Sequence, residues 1–279
     1  MPGTKVKAEN VQRDFELQAA AALALTVAYR GDNFSGFARQ DGRVTIQGEL
    51  EEALATVLRR PVLIQGAGRT DAGVHALGQV VSCGVSEAEL QQQNFAGLQT
   101  ALNALLPAGI VIKGIEAKEP NFSARFSAQA REYRYRLYPS PTPPLFLAPY
   151  VWWVPPVGLE SVAALKSAAR LFEGEQDFKS FCVAKTADRL AAQGLSTHRN
   201  LLHVHVFGAQ HLGEQCLIIQ VIGNAFLHSM VRIMVGSLVE VLLGRRAPEW
   251  ISAALAACQR QSAGPTAPAQ GLTLWRVRY

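Results

Sequence analysis

Cysteine is scarce in this chain and widely scattered: Cys83, Cys182, Cys216 and Cys258 are the only four in 279 residues. No pair has C-x-x-C spacing, which argues against a zinc site or a redox pair, and a chain of this length needs no disulfide framework. Histidine is nearly as sparse, with six residues. His203 and His205 share one face of a predicted strand but have no acids beside them, so no metal site is expected. Long apolar runs are missing as well. Residues 235–243 are interrupted by Glu240 and too few to cross a bilayer. Residues 19–28 are apolar, yet Glu9, Asp14 and Glu16 stand where a signal peptide carries positive charge, and no small-residue cleavage pattern follows. These absences point to a soluble, cytoplasmic protein with reduced thiols and no membrane partner.

What is present is a moderate basic excess and an ample apolar fraction. Lys and Arg outnumber Asp and Glu by 27 to 22, and 49% of residues are hydrophobic, enough for one large domain or two smaller ones. The excess alone is compatible with simple solubility. It points to a polyanion only where arginines cluster. Arg125, Arg131, Arg134 and Arg136 do so, interleaved with Phe126, Tyr133, Tyr135 and Tyr138.

The element order is legible from periodicity. Residues 22–29 read as a strand, and residues 45–58 as an amphipathic helix with Ile46, Leu50, Leu54 and Leu58 four apart. Strands at 61–64 and 79–81 flank a glycine-rich turn. A helix at 94–106 closed by Pro107, a strand at 110–115 and another at 132–138 follow, up to the proline-rich segment 139–144. The second half reads as a strand at 150–154, a helix at 159–172, strands at 201–207 and 217–222, helices at 225–243 and 248–258, and a last strand at 272–277. Each half has the βαββαβ order of a ferredoxin-like unit. The fold expected is α+β, with two ferredoxin-like lobes pooling their strands into a mostly antiparallel central sheet with helices packed on it. The expected divisions are a flexible N-terminal arm (1–20), an N-terminal α/β lobe (21–140), a proline-rich linker (141–149) and a C-terminal α/β lobe (150–279).

The run Gly66-Ala67-Gly68-Arg69-Thr70-Asp71-Ala72-Gly73-Val74-His75-Ala76 carries the chemistry. It sets a carboxylate beside an arginine in a turn whose glycines let a ligand approach the backbone closely. A dinucleotide fingerprint is disfavoured, because the third small residue would fall at Asp71 and the chain returns to a strand instead of opening a helix. A turn in which Asp71 merely caps the backbone is the other reading of these residues.

Residues 69–76 resemble the catalytic motif of the tRNA pseudouridine synthase I family. The likeness extends to Gly36-Phe37-Ala38-Arg39-Gln40 with Thr45-Ile46-Gln47, and to Leu102-Asn103-Ala104-Leu105-Leu106-Pro107. It continues through Phe122-Ser123-Ala124-Arg125-Phe126-Ser127-Ala128 with Arg131-Glu132-Tyr133-Arg134-Tyr135. Asn224-Ala225-Phe226-Leu227-His228-Ser229-Met230-Val231-Arg232 and Thr266-Ala267-Pro268-Ala269-Gln270-Gly271-Leu272 complete it. Six blocks lie in order between residues 22 and 279. The departures are Tyr29-Arg30-Gly31-Asp32 where the family usually reads Tyr-Asp-Gly-Thr, Phe37 in place of a tryptophan, and a longer stretch at 183–198.

The resemblance implies the pseudouridine synthase fold and an isomerase that converts uridine to pseudouridine at positions 38, 39 and 40 of the tRNA anticodon stem-loop. Such chemistry breaks the bond between C1′ and N1, turns the uracil over and joins C1′ to C5, with no cofactor and no metal. It needs a carboxylate at the sugar–base junction, as nucleophile or base, and the resemblance assigns that role to Asp71. It places Tyr133 against the flipped base, Arg232 as ion-pair partner of Asp71, Arg69 in the gap left by the flipped nucleotide or on its phosphate, and Leu272 on the far side of the uracil. Arg39, Arg125, Arg131, Arg134 and Asn103 are assigned to the substrate, with Arg43 and Lys179 as further phosphate contacts. His75 is read as a stabiliser of the turn, and His228 as a core hydrogen-bonder or an RNA contact. The implied partners are the tRNA anticodon arm and a second copy of the chain. A non-catalytic RNA-binding chaperone using the same cleft is the alternative.

Overall fold

The computed structural model describes residues 19–279 apart from Gln93. The N-terminal arm expected at 1–20 therefore lies almost wholly outside the described residues. The chain forms two compact units, Met1–Gln129 with Arg276–Tyr279, and Ala130–Trp275.

The first unit runs β1 (Ala21–Tyr29), α1 (Ile46–Leu58), β2 (Gln65–Gly66), β3 (His75–Val85), α2 (Glu87–Gln92), α3 (Phe95–Leu105) and β4 (Ile110–Lys118). Its strands lie in the order β4-β1-β3-β2 with every neighbouring pair antiparallel. This is the split βαβ arrangement, each helix carrying the chain over a strand that belongs elsewhere in sequence. The central β1 is apolar almost throughout and buried along its length, as a strand with two neighbours requires. Ile46, Leu50 and Leu54 form the buried stripe of α1, and Thr45 caps it by accepting the Gly48 N–H at 3.2 Å. Ser86 and Glu89 exchange side-chain and backbone hydrogen bonds at the start of α2, a capping box. The strand expected at 61–64 is shifted: only Gln65 and Gly66 pair with β3, while Val62 and Ile64 insert into the core as irregular chain.

The second unit runs β5 (Ala130–Pro139), β6 (Trp152–Val154), α4 (Leu159–Arg170), β7 (Gly174–Asp177), α5 (Ala184–Ala192), β8 (His198–His211), β9 (Glu214–Gly223), α6 (Met230–Leu242), α7 (Trp250–Ala257) and β10 (Leu272–Arg278), the last contributing Leu272–Trp275 here. The strand order is β10-β5-β9-β8-β7, with β6 beside β5. Counting β5, β8, β9 and β10 as the four principal strands, the order 4-1-3-2 of the first unit recurs. The hairpin β8–β9 turns on Leu212 (φ 48°) and Gly213 (φ 82°), the two left-handed residues that match strand twist in a two-residue loop.

The boundaries differ from the sequence reading in instructive ways. β5, expected as the last strand of the first lobe, opens the second unit, because it pairs with β9 over seven residues from Arg131 to Leu137. The strand expected to open the second lobe is β6, which pairs with β5 over only three. The proline-rich segment 141–149 therefore lies inside the second unit. The helix expected from residue 225 starts at Met230, after Ser229 takes a left-handed φ of 57°. α2, β7 and α5 were not anticipated. The chain is nonetheless α+β with mostly antiparallel strands, and among the described residues no helix is long and apolar enough to cross a membrane.

Candidate active site

In the first unit, the turn between β2 and β3 is fixed to the body at nearly every residue. Ala67 N–H donates to Val80 O at 2.8 Å, and Phe37 N–H to Thr70 O at 3.0 Å. The Phe37 ring lies so close over Gly66 that a Cβ there would come within 2.6 Å of it. Beyond Asp71 the chain turns back through Gly73 (φ 81°), with Val74 N–H bonded to Asp71 O at 3.1 Å and Gly73 N–H to Gly31 O at 3.2 Å. Gly31 N–H donates to His75 Nδ1 at 3.1 Å, so buried His75 holds the turn.

Beneath the turn lies a buried polar group. Tyr29 at the end of β1 is 2.8 Å from Thr70 Oγ1. Gln79 on β3 donates from Nε2 to Gly68 O at 2.7 Å and to the Tyr29 oxygen at 3.4 Å. Burial pushes the Tyr29 phenol up to about 12, against the lowering effect of the Thr70 and Gln79 hydrogen bonds, so it stays protonated. Above this base Asp71 is half-buried and Arg69 is exposed.

The second unit brings together three blocks distant in sequence. Tyr133 and Tyr135 point to one face of β5, Tyr133 meeting the edge of Phe226 with centroids 5.0 Å apart at 81°. Fully buried Tyr135 donates to Pro268 O at 2.8 Å. Its phenol is pushed up by burial, and nearby Arg232 acts in the opposite sense. Arg232, in the first turn of α6, is half-buried and donates from Nε to Ala267 O at 2.9 Å, while Ala267 N–H returns to Arg232 O at 3.0 Å. A Cβ on Gly271 would sit 2.5 Å from the Tyr135 ring, so that ring fixes the approach of the chain to buried Leu272. The carbonyls of Ala267 and Pro268 thus tie the 266–272 loop, which leads into Leu272, to Arg232 on α6 and to Tyr135 on β5, two residues from Tyr133.

A family model described as tRNA pseudouridine synthase matches residues 25–127 and 168–279. The chain belongs to the tRNA pseudouridine synthase family. Among its relatives, a protein of Geobacillus sp. (strain WCH70) named tRNA pseudouridine synthase A is 42% identical, over 92% of this chain and 98% of that one. Proteins of the same name from Brevibacillus brevis (40% identical, 92% and 99% covered) and Pseudothermotoga lettingae (39%, 91% and 97%) are similar throughout. Within this family the Asp71 turn and the stretches holding Tyr133, Arg232 and Leu272 are the regions that the sequence reading singled out.

Several other residues expected at the substrate have structural partners. Asn103 spends both ends of its amide on Ile112, accepting its N–H at 2.7 Å and donating to its O at 3.1 Å, which pins α3 to β4. Arg134 points away from the Tyr133 face. It pairs with fully buried Glu132 at 2.9 Å and lies over Trp275 at 3.9 Å. Arg131 is buried and donates to Asn224 O at 2.6 Å. Arg39 pairs at 2.7 Å with buried Glu51, which also accepts the Ile64 N–H at 3.1 Å. Arg43, Arg125 and Lys179 are exposed, Arg125 lying over the Phe126 ring at 5.3 Å. His228 is exposed, with Nδ1 3.1 Å from Thr186 Oγ1.

Sequence reasoning overlooked Tyr29, Gln79 and Glu51. The available signal was a glutamine inside an otherwise apolar strand, and a glutamate next to Leu50 on the apolar side of a helix. Such polar side chains are buried only when they are hydrogen-bonded.

Proposed function

We propose that the chain isomerises uridine to pseudouridine in tRNA, at positions 38, 39 and 40 of the anticodon stem-loop, using Asp71 as the catalytic carboxylate. The observation that carries this reading is the construction of the Asp71 turn. Its flanking carbonyls and hydroxyl are bonded to β1, β3 and the loop after β1, which fixes the backbone on either side of half-buried Asp71 and exposed Arg69. A carboxylate preorganised in this way suits attack on, or proton removal from, a base swung out of its stack. Tyr133 would lie against the flipped ring, Leu272 would cover its far side, and Arg232 would keep the carboxylate ionised. Arg69 would fill the vacated space. The reaction is internally balanced: the C1′–N1 bond breaks, a C1′–C5 bond forms, C5 gives up its proton and N1 takes one up, so it calls for no cofactor. We place it in the cytoplasm, on a chain that pairs with a second copy to engage one tRNA.

The test is Asp71→Asn, which keeps shape and one acceptor oxygen but loses the charge and the nucleophile. On one folded preparation, pseudouridine formation under single-turnover conditions should vanish while tRNA affinity stays within about threefold, since phosphate contacts elsewhere dominate binding. Substantial turnover in that sample would remove Asp71 from the chemistry. Binding with no turnover by the parent protein would favour the chaperone reading. Sedimentation of the parent as a monomer at micromolar concentration would overturn the pairing.

A further inference from the structure

The Asp71 turn has hydrogen-bonding groups that no step of the proposed reaction uses, and they are gathered on its buried side. Thr70, the residue before Asp71, has its backbone O held by Phe37 N–H at 3.0 Å and its hydroxyl held by Tyr29 at 2.8 Å. Two residues earlier, Gly68 O is held by Gln79 Nε2 at 2.7 Å. The same nitrogen reaches the Tyr29 oxygen, and Gln79 Oε1 accepts the Val80 N–H at 3.2 Å. Tyr29 and Thr70 share one hydroxyl–hydroxyl bond in which either oxygen can donate. The chain Gln79–Tyr29–Thr70 ends one residue from the carboxylate.

All three side chains are out of water: Gln79 is fully buried, Tyr29 is 4% exposed and Thr70 7%. A polar group in such surroundings is costly to leave unpaired, so the three act as a unit. The strand register changes beside it. β1 and β3 pair regularly as far as Val27 opposite Gln79, and then Tyr29 falls opposite Ala76, one residue beyond the regular register. A bulge of this kind re-aims a side chain next to a site. Without it Tyr29 would lie opposite Leu77.

We propose that Tyr29, oriented by Gln79, is a positioning residue that fixes Asp71 through the Thr70 hydroxyl. This deepens the reading of Asp71 as the catalytic carboxylate and rests on it. The role is confined to the chemical step: the group faces the interior, so it sets the reach of the carboxylate without touching RNA.

The test compares Tyr29→Phe, Thr70→Val, their combination and Thr70→Ser, with Asp71→Asn run alongside, on full-length protein and unmodified tRNA transcript. Near-ultraviolet circular dichroism checks that each is folded. Tyr29→Phe and Thr70→Val should each lower the single-turnover rate by about tenfold with tRNA Kd within about twofold of the parent, a displacement well short of 1 Å. The double variant should be no slower than the slower single one, because both remove the same link. Thr70→Ser keeps the hydroxyl and should recover the rate to within about threefold. Parental rates in folded Tyr29→Phe or Thr70→Val, losses that multiply in the double variant, or a loss carried by Kd would each overturn the proposal. If Tyr29→Phe does not fold, the contrast between Thr70→Val and Thr70→Ser decides it. Turnover surviving in Asp71→Asn would mark failure of the underlying reading, whereas an inactive Asp71→Asn beside fully active Tyr29→Phe marks failure of the positioning role alone.

Discussion

Replacing Gly31 with alanine should disable catalysis from a position that carries no functional group. Gly31 is bonded on both sides of its peptide to the turn that follows Asp71, through Gly73 N–H to its O and through its own N–H to His75 Nδ1. A Cβ added there would lie 2.1 Å from Val74 O, 2.6 Å from Val74 C and 2.8 Å from Gly73 C. These are backbone atoms and cannot rotate away. Since real Cβ contacts essentially never fall below 3.0 Å, residues 73–74 must move by at least 0.9 Å. Overpacking on this scale costs about 1–3 kcal/mol, and a misplacement of roughly 1 Å at a reacting group costs about a hundredfold in rate. Gly31→Ala should therefore lose about two orders of magnitude in single-turnover pseudouridine formation, with a modest fall in Tm and tRNA affinity near the parent's. Gly114→Ala, where no atom lies within 4 Å of the new Cβ, is the matched control and should be active. A Gly31→Ala protein with parental rate and Tm would refute the claim that this contact sets the position of Asp71.

Further outcomes follow from the charged groups. Arg134→Ala should lower stability by about 2 kcal/mol, since it takes the guanidinium away from buried Glu132 and leaves its Oε1 with the Gln220 amide donor; the slope of log affinity against log salt should not change, as checked by thermal melts and a salt titration. Arg43→Ala, at an exposed position, should instead reduce that slope by about one without changing Tm. Glu51→Leu should cost roughly 2 kcal/mol in denaturant unfolding, because it leaves the buried Ile64 N–H without its acceptor while half-exposed Arg39 returns to water. Acid should destabilise the fold through Glu89 and Asp177. Burial raises the pKa of each. For Glu89, Arg60 and the Ser86 N–H outweigh that effect; for Asp177, the Thr197 hydroxyl, the Lys179 N–H and His198 do so. Both carboxyls end below their ordinary values, so their stabilisation is present above about pH 4.5 and is lost as pH falls through the depressed values. Urea midpoints measured from pH 6 to pH 3 should decline, and Glu89→Gln should flatten part of that decline.

The sequence by itself determined the helices with a clean apolar stripe, such as α1, and the α+β class, because periodicity and capping are local properties. It also determined the candidate carboxylate, since Arg69, Thr70 and Asp71 are contiguous and their glycines are readable in place. What only the tertiary structure decided concerns partners far apart in the chain. Strand β5 joins the second unit because its register with β9 is longer than any pairing that proximity to the first lobe could suggest. Asn103, which reads as a substrate contact, is committed to Ile112 on the next strand, and that commitment leaves no trace in local pattern. Tyr29 and Thr70 are 41 residues apart, and beside Tyr29 β3 carries one extra residue opposite the end of β1. A strand's side-chain period of two makes such a slip decisive for which side chain faces inward, and nothing in the spacing of the sequence announces it.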